Sequence, residues 1–148
     1  EELEVLDGFI YLMKIRYSDG FEIEYEIGEG CGSCMVPRLI LQPIVENSIV
    51  HGFSGQEEEL GKITVKARLE DQYLYITVRD NGKGMTEEEI RRLLSNETAE
   101  NEDYVSIGVT NVNTRLVLNY GEECTLQIRS EVGRYTETVL RIPAAGRD

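Results

Sequence analysis

The sequence predicts an α+β fold, a two-layer sandwich built from strands and helices in mixed order. Three observations predict it. Several short segments alternate apolar and polar residues, as half-buried strands do. Others repeat apolar residues at steps of three and four, as one face of a helix does. The third observation is size: 148 residues, 41% of them hydrophobic, supply one core and one domain.

The elements follow in order. Leu3, Leu6, Ile10, Met13 and Tyr17 form the stripe of a first helix, weakened by Gly8. Phe21, Ile23, Tyr25 and Ile27 alternate with Glu22, Glu24 and Glu26, a strand with one wet face. Gly28 to Met35 reads as loop. A helix follows from Pro37 to Gly52, and Pro43 inside it predicts a kink or a late start. The polar stretch Ser54 to Gly61, with Glu57, Glu58 and Glu59, is a loop. Ile63 to Leu69 and Leu74 to Val78 make a β-hairpin that runs into the turn-rich Asp80 to Met85. Thr86, followed by three glutamates, opens a short helix that ends near Ser95. Glu97 to Tyr104 holds four acids and no base, and reads as a mobile loop. Ser106-Ile107-Gly108 introduces a helix through Val109, Val112, Leu116 and Leu118, closed at Gly121. Cys124, Leu126 and Ile128 form a strand, Glu131 to Arg134 turn it, and Thr136 to Ile142 return as the last strand.

Charge narrows the function. With 28 acidic and 15 basic residues the net charge is −13, which argues against nucleic acid or an anionic membrane as main partner. No stretch approaches about 18 consecutive apolar residues, and the start lacks a leader pattern. The chain begins at Glu1 rather than Met, which predicts a piece of something longer. Cys31, Cys34 and Cys124 are too few for a disulfide framework. Cys31 and Cys34 have C-x-x-C spacing without a second pair to complete a zinc site, and are expected to be ordinary loop thiols.

Three elements point to a ligand. Asn47 and His51 stand four apart on one helix face, beside Glu46. Asp80-x-Gly82-x-Gly84 leaves a strand, and its glycines let backbone approach a ligand closely. Ser106-Ile107-Gly108 precedes a helix, where free N–H groups suit phosphate oxygens. Each is weak alone. Together, in this order, they are strong.

The run from Val36 to Gly52, with Leu41-Gln42-Pro43 and Glu46-Asn47, resembles the N box of sensor histidine kinases of the LytS/YesM type. Asp80 to Met85 resembles their G1 box, and Ser106 to Val112 with Arg115, Leu116, Tyr120 and Gly121 their G2 box and its helix. Gly133-Arg134-Tyr135-Thr136 before Ile142-Pro143 is similar to the closing strand. The resemblance spans nearly the whole chain.

It implies the Bergerat ATP-binding fold shared with gyrase, heat-shock protein 90 and MutL, a mixed sheet with helices on one face. By matching positions, Asn47 would ligate a Mg²⁺ bridging the ATP phosphates. Asp80 would accept a hydrogen bond from the adenine amino group, supported by Thr136 through water. Gly82, Gly84 and Met85 would line the site and hinge an ATP lid over residues 86–105. N–H groups of Ile107, Gly108 and Val109 would hold phosphate, and Glu46 would polarise the acceptor imidazole or a water. Mg²⁺, helix N-termini and oriented amides would offset the charge that otherwise repels ATP.

The chain departs from the family at three places, Val50, Ser106 and Tyr135. Pro43 stands where relatives outside this subgroup have a base or amide, and Val50 where many members have a phosphate-contacting Lys, a role His51 or Arg115 would then take. Ser106 and Tyr135 replace family glycines. His51 belongs to the N box, so the phosphorylated histidine would lie in a dimerisation domain preceding this chain, with residues 1–18 ending the joining helix and 19–148 forming the ATP-binding domain. The resemblance therefore implies a cytosolic, monomeric fragment of a membrane-anchored homodimer that passes phosphate to a response regulator. The alternatives are an anti-sigma-type serine kinase, disfavoured by Leu41-Gln42-Pro43, and a nucleotide-binding pseudokinase.

Overall fold

The computed structural model describes residues 2–16, 20–34, 36–53, 60–95 and 104–144. Their frame is a five-stranded sheet in the order β1-β2-β3-β5-β4. The strands are β1 (Phe21–Ile27), β2 (Gly61–Glu70), β3 (Tyr73–Asp80), β4 (Gln127–Glu131) and β5 (Tyr135–Pro143). β1 runs parallel to β2, and every other pairing is antiparallel, so the sheet is mixed. The expected hairpins are both present. Asp71 and Gln72, with φ of 49° and 69°, turn the first, a pair of positive values suited to a two-residue hairpin loop.

Alternation dictates what each face does. Ile63 and Val65, Leu74, Ile76 and Val78, and Leu140 and Ile142 all point to one face and are buried. The helices α1 (Glu2–Arg16), α2 (Gln42–Asn47), α3 (Glu87–Leu94) and α4 (Tyr104–Tyr120) cover that face and share a single apolar cluster with it. The opposite face stays open and is dressed with aromatic and basic side chains. Arg79 lies 4.1 Å over the Tyr135 ring and Arg141 4.0 Å over Tyr73.

α1 packs as its stripe predicts, with Leu6, Ile10 and Met13 buried, whereas Tyr17 falls outside the described residues. The Glu2 carboxylate accepts the N–H groups of Leu39, Ile40 and Leu41 at 3.1, 3.0 and 3.3 Å, tying α1 to the approach of α2. The Tyr25 hydroxyl donates to Asp7 at 2.8 Å, and burial beside that carboxylate holds the phenol well above its ordinary range.

Three boundaries differ from the sequence reading. The helix placed from Pro37 begins at Gln42, with Pro43 in its first turn, the late start that a proline lacking an N–H imposes. The helix placed after Gly108 begins at Tyr104, because tertiary packing against α2 outweighs the poor propensity of an internal glycine. Cys124 sits in a 3₁₀ turn, Glu122–Cys124, and β4 starts only at Gln127. The proposed loops around Glu57–Glu59 and from 97 to 103, and the tip of the supposed lid, lie outside the described residues.

Leu140 has no exposed surface at the centre of the cluster. Leu140→Ala is expected to cost about 2–5 kcal/mol, from lost transfer energy and a residual cavity. Urea denaturation with an unchanged slope checks it. A loss below about 1 kcal/mol would show that the sheet is not packed here as described.

Candidate functional site

The site forms where α2, the end of β3 and the β4–β5 hairpin meet, and a buried carboxylate lies at its floor. Asp80 ends β3 on the core side of the sheet and is 3% exposed. A carboxylate so placed requires donors, since desolvation otherwise forces it neutral. It has two. The Ser48 hydroxyl donates to Oδ2 at 2.7 Å, and the Gly82 N–H donates to Oδ1 at 2.9 Å. Burial still pushes the Asp80 carboxyl above its usual range, against the opposing pull of those two donors and of Arg79.

Ser48 went unnoticed in the sequence. Its signal was present: it lies four residues after Ile44 on the apolar stripe, where a hydroxyl needs a partner. It opens a π-helical turn, Ser48–Gly52, that continues α2 beyond Asn47. Such wide turns occur mostly as single insertions in helices, often at functional sites. This one brings Gly52 onto Asp80, where an added Cβ would stand 3.2 Å from Oδ1.

Both glycines of the Asp80-x-Gly82-x-Gly84 segment are required by contact. A Cβ on Gly82 would lie 2.3 Å from the Gly52 carbonyl oxygen, so backbone presses on backbone there. Gly84 has φ of +75°, and its Cβ would lie 2.3 Å from the Glu131 carbonyl oxygen. Hydrogen bonds continue the tie. Lys83 N–H donates to Gly52 O at 2.8 Å, and Gly133 N–H donates to Lys83 O at 2.6 Å. Met85 N–H donates to Ser130 Oγ at 2.7 Å, and Ser130 Oγ lies 2.9 Å from Thr136 Oγ1. Thr136 is buried and pairs with Asp80 across the β3–β5 ladder. Ser130 is thus a second residue that the sequence reading missed, and a lone serine in a short strand offers no signal.

The structure brings Asp80, Gly82, Gly84, Met85 and Thr136 together with the π turn. Glu46, Asn47 and His51 lie half-buried on the same helical segment. Ile107, Gly108 and Val109 stand in the first two turns of α4, not before it. A helix that begins at Tyr104 already uses the N–H groups of Ile107, Gly108 and Val109 in its own i→i−4 bonds. Gly108 instead lets two helices close: a Cβ there would stand 3.3 Å from Pro43 Cβ. α3 is fixed by a capping box between Thr86 and Glu89, and its last carbonyls accept from α4, with Thr110 Oγ1 2.7 Å from Leu93 O.

No group of three or more His, Cys, Asp or Glu able to hold a metal occurs among the described residues. The site therefore offers a divalent cation little beyond the Asn47 amide oxygen and the Glu46 carboxylate. Such a set fits Mg²⁺, which keeps several waters and is commonly held by one or two side chains together with substrate phosphates.

A buried acid at the floor, a glycine-bearing segment pressed against backbone beside it and the N-terminal end of α4 match a nucleotide-binding arrangement. Comparison with known proteins agrees. The family model described as histidine kinase-, DNA gyrase B-, and HSP90-like ATPase matches residues 35–146. The chain belongs to this ATPase family.

Sensor protein LytS of Staphylococcus haemolyticus is 31% identical to this ATPase domain over 145 residues, covering 97% of the chain and 24% of the relative. LytS of Bacillus subtilis is 28% identical over 143 residues, with 97% and 24% covered. The chain thus spans about a quarter of the length of these curated relatives. Among solved structures, the catalytic domain of histidine kinase ThkA superposes with a TM-score of 0.69 at 14% identity, covering 97% of this chain and 93% of that one. The histidine kinase AdeS of Acinetobacter baumannii gives 0.64 at 12%, with 98% and 66% covered. The shared fold is the α/β sandwich with a mixed sheet described above. No helix among the described residues is long and apolar enough to cross a membrane.

The Asp80 shift has a consequence for stability. Folded Asp80 holds its proton above the ordinary 3.8, so the folded state binds more protons than the unfolded chain across that window. Its contribution to stability therefore falls as pH rises through it. Asp80→Asn removes the titration while keeping an acceptor for Ser48. Thermal melts should show the wild type losing stability relative to Asp80→Asn as pH rises above about 4. A difference independent of pH would contradict the assignment.

Proposed function

We propose that this ATPase domain is the ATP-binding catalytic part of a two-component sensor histidine kinase. In this reading it transfers the γ-phosphoryl group to a histidine on a preceding dimerisation domain, for relay to a response regulator. The observation that carries it is the buried Asp80 carboxylate, held by Ser48 and Gly82 at the floor of a glycine-hinged site. Its family membership and its similarity to LytS sensor proteins support the same reading.

Each residue then has a chemical task. Asp80, with both oxygens already oriented by donors, accepts a hydrogen bond from the adenine amino group, and Thr136 stands across the ladder to hold a bridging water. Gly82, Gly84 and Met85 bring backbone against the base, and the segment that follows Gly84 is read as the lid over the nucleotide. The N-terminal end of α4, with its dipole, faces phosphate oxygens, and His51 supplies a donor from the π turn. Asn47 would hold Mg²⁺, which neutralises phosphate charge that a domain at −13 cannot offset by itself. Phosphoryl transfer depends chiefly on positioning and electrostatics, so one carboxylate, Glu46, suffices to accept or orient a proton at the acceptor imidazole.

α1 fits the end of the helix that joins the two domains. Its inner side is buried in this core while Val5, Tyr11, Leu12 and Ile15 remain exposed, as a surface continuing into a dimeric neighbour would. The full-length protein is read as a membrane-anchored homodimer with this domain on the cytosolic side.

Calorimetric titration of ATP tests the reading. Binding should be stronger with Mg²⁺ than with EDTA, and Asn47→Ala should abolish that difference while leaving the EDTA affinity within about threefold. Glu46→Gln should leave ATP binding intact and slow phosphorylation of the histidine-bearing domain by about 10²–10⁴-fold. Absence of ATP binding in either buffer would refute the function proposed.

A further inference from the structure

At the end of the sheet remote from Asp80, a cleft of about 680 Å³ opens between the sheet, the start of α1 and the connection from β1 to α2. Val65, Leu74 and Ile76 form its apolar floor, and both Cys31 and Cys34 line it. Neither thiol belongs to the nucleotide site. The two residues bracket one 3₁₀ turn, Cys31–Ser33, whose Cys34 N–H donates to Cys31 O at 3.1 Å.

That turn sets the geometry. In a 3₁₀ turn, residues i and i+3 eclipse one another, about 6 Å apart along the axis. Disulfides form when the Cα atoms lie about 4.4–6.8 Å apart and the Cβ atoms face the same way. The turn is held in place from below. Gly28 N–H donates to Ala67 O at 2.8 Å, Cys31 N–H donates to Gly28 O at 3.2 Å, and Gly30 takes φ of +82°. Cys34 Sγ donates to Gly30 O at 3.8 Å and is half-buried, whereas Cys31 is buried. One thiol can therefore be reached from solvent, with the other packed behind it.

We propose that Cys31 and Cys34 form a redox-active dithiol that closes to a disulfide by exchange with low-molecular-weight disulfides. The Cys34 thiolate attacks one sulfur of glutathione disulfide, forming a mixed disulfide and expelling one glutathione thiolate. Cys31 gives its proton to water and attacks Cys34 Sγ, expelling the second glutathione thiolate. The dithiol loses two electrons and two protons, and one glutathione disulfide becomes two thiols. Burial, with the neighbouring Cys34, pushes the Cys31 thiol up, which suits a resolving rather than an attacking group. The couple stands independently of the nucleotide reading, since its readout is the state of the thiols.

The test incubates the folded protein in glutathione buffers, blocks remaining thiols with N-ethylmaleimide and weighs the product. The wild type should lose two reactive thiols together and carry no glutathione, with Cys124, fully buried, unchanged as an internal control. Cys31→Ser should instead accumulate a stable glutathione adduct on Cys34. Cys34→Ser should leave Cys31 reduced, reacting at least about tenfold more slowly. A persistent glutathione adduct on the wild type would overturn the proposal. So would oxidation that appears only after denaturation, or a bridge that includes Cys124. If either variant fails to fold, the wild-type mass alone decides.

Discussion

The Asp80 carboxylate is the constraint on which the site depends. A nearly buried acid costs several kcal/mol unless its oxygens are satisfied, so the chain around it is arranged to supply donors. Ser48 provides one from the π turn, and Gly82 provides the other from the segment leaving β3. The first bond locks the helical segment of α2 and its π turn to the end of the central strand β3, and the second fixes the segment that leaves it. They also explain why Gly52 and Gly82 must both lack side chains, for the carboxylate can be reached from both sides only if the two backbones touch. From Gly82 the tie passes through Lys83 and Gly133, then through Met85, Ser130 and Thr136, to the last hairpin.

Electrostatics gives this frame its purpose. The domain carries −13, yet its family binds a polyanion. The groups that meet the phosphates in the proposed function are the N-terminal end of a helix and the His51 side chain, not a basic cluster. Three basic residues of the sheet, Arg68, Arg79 and Arg141, lie over tyrosine rings, while Lys62 and Lys66 pair with Glu24 and Glu26.

Much of this was legible before any coordinates. The alternation in Ile63–Leu69 and Leu74–Val78 placed the central hairpin within a residue or two, because a strand with one buried face leaves no other pattern. Thr86 with Glu89 announced its capping box. Asp80 and Thr136, separated widely in sequence, were assigned to one site by resemblance alone, and the β3–β5 register sets them side by side. Illegible features were those decided by tertiary packing. Gly108 looked like a helix entrance but is a helix–helix contact against Pro43, so α4 starts four residues earlier. The π turn after Asn47 has no propensity signature, and without it Ser48 cannot be seen to reach Asp80.

Base recognition tests the account most directly, by comparing ATP with inosine triphosphate, which presents a carbonyl where adenine presents its amino group. If the oriented Asp80 carboxylate reads that amino group, the inosine nucleotide meets an acceptor with another acceptor and should bind at least about a hundredfold more weakly. Asp80→Asn, whose amide can donate, should narrow the gap. Equal affinity of the wild type for the two nucleotides would contradict the role given to Asp80 and to the bonds that hold it.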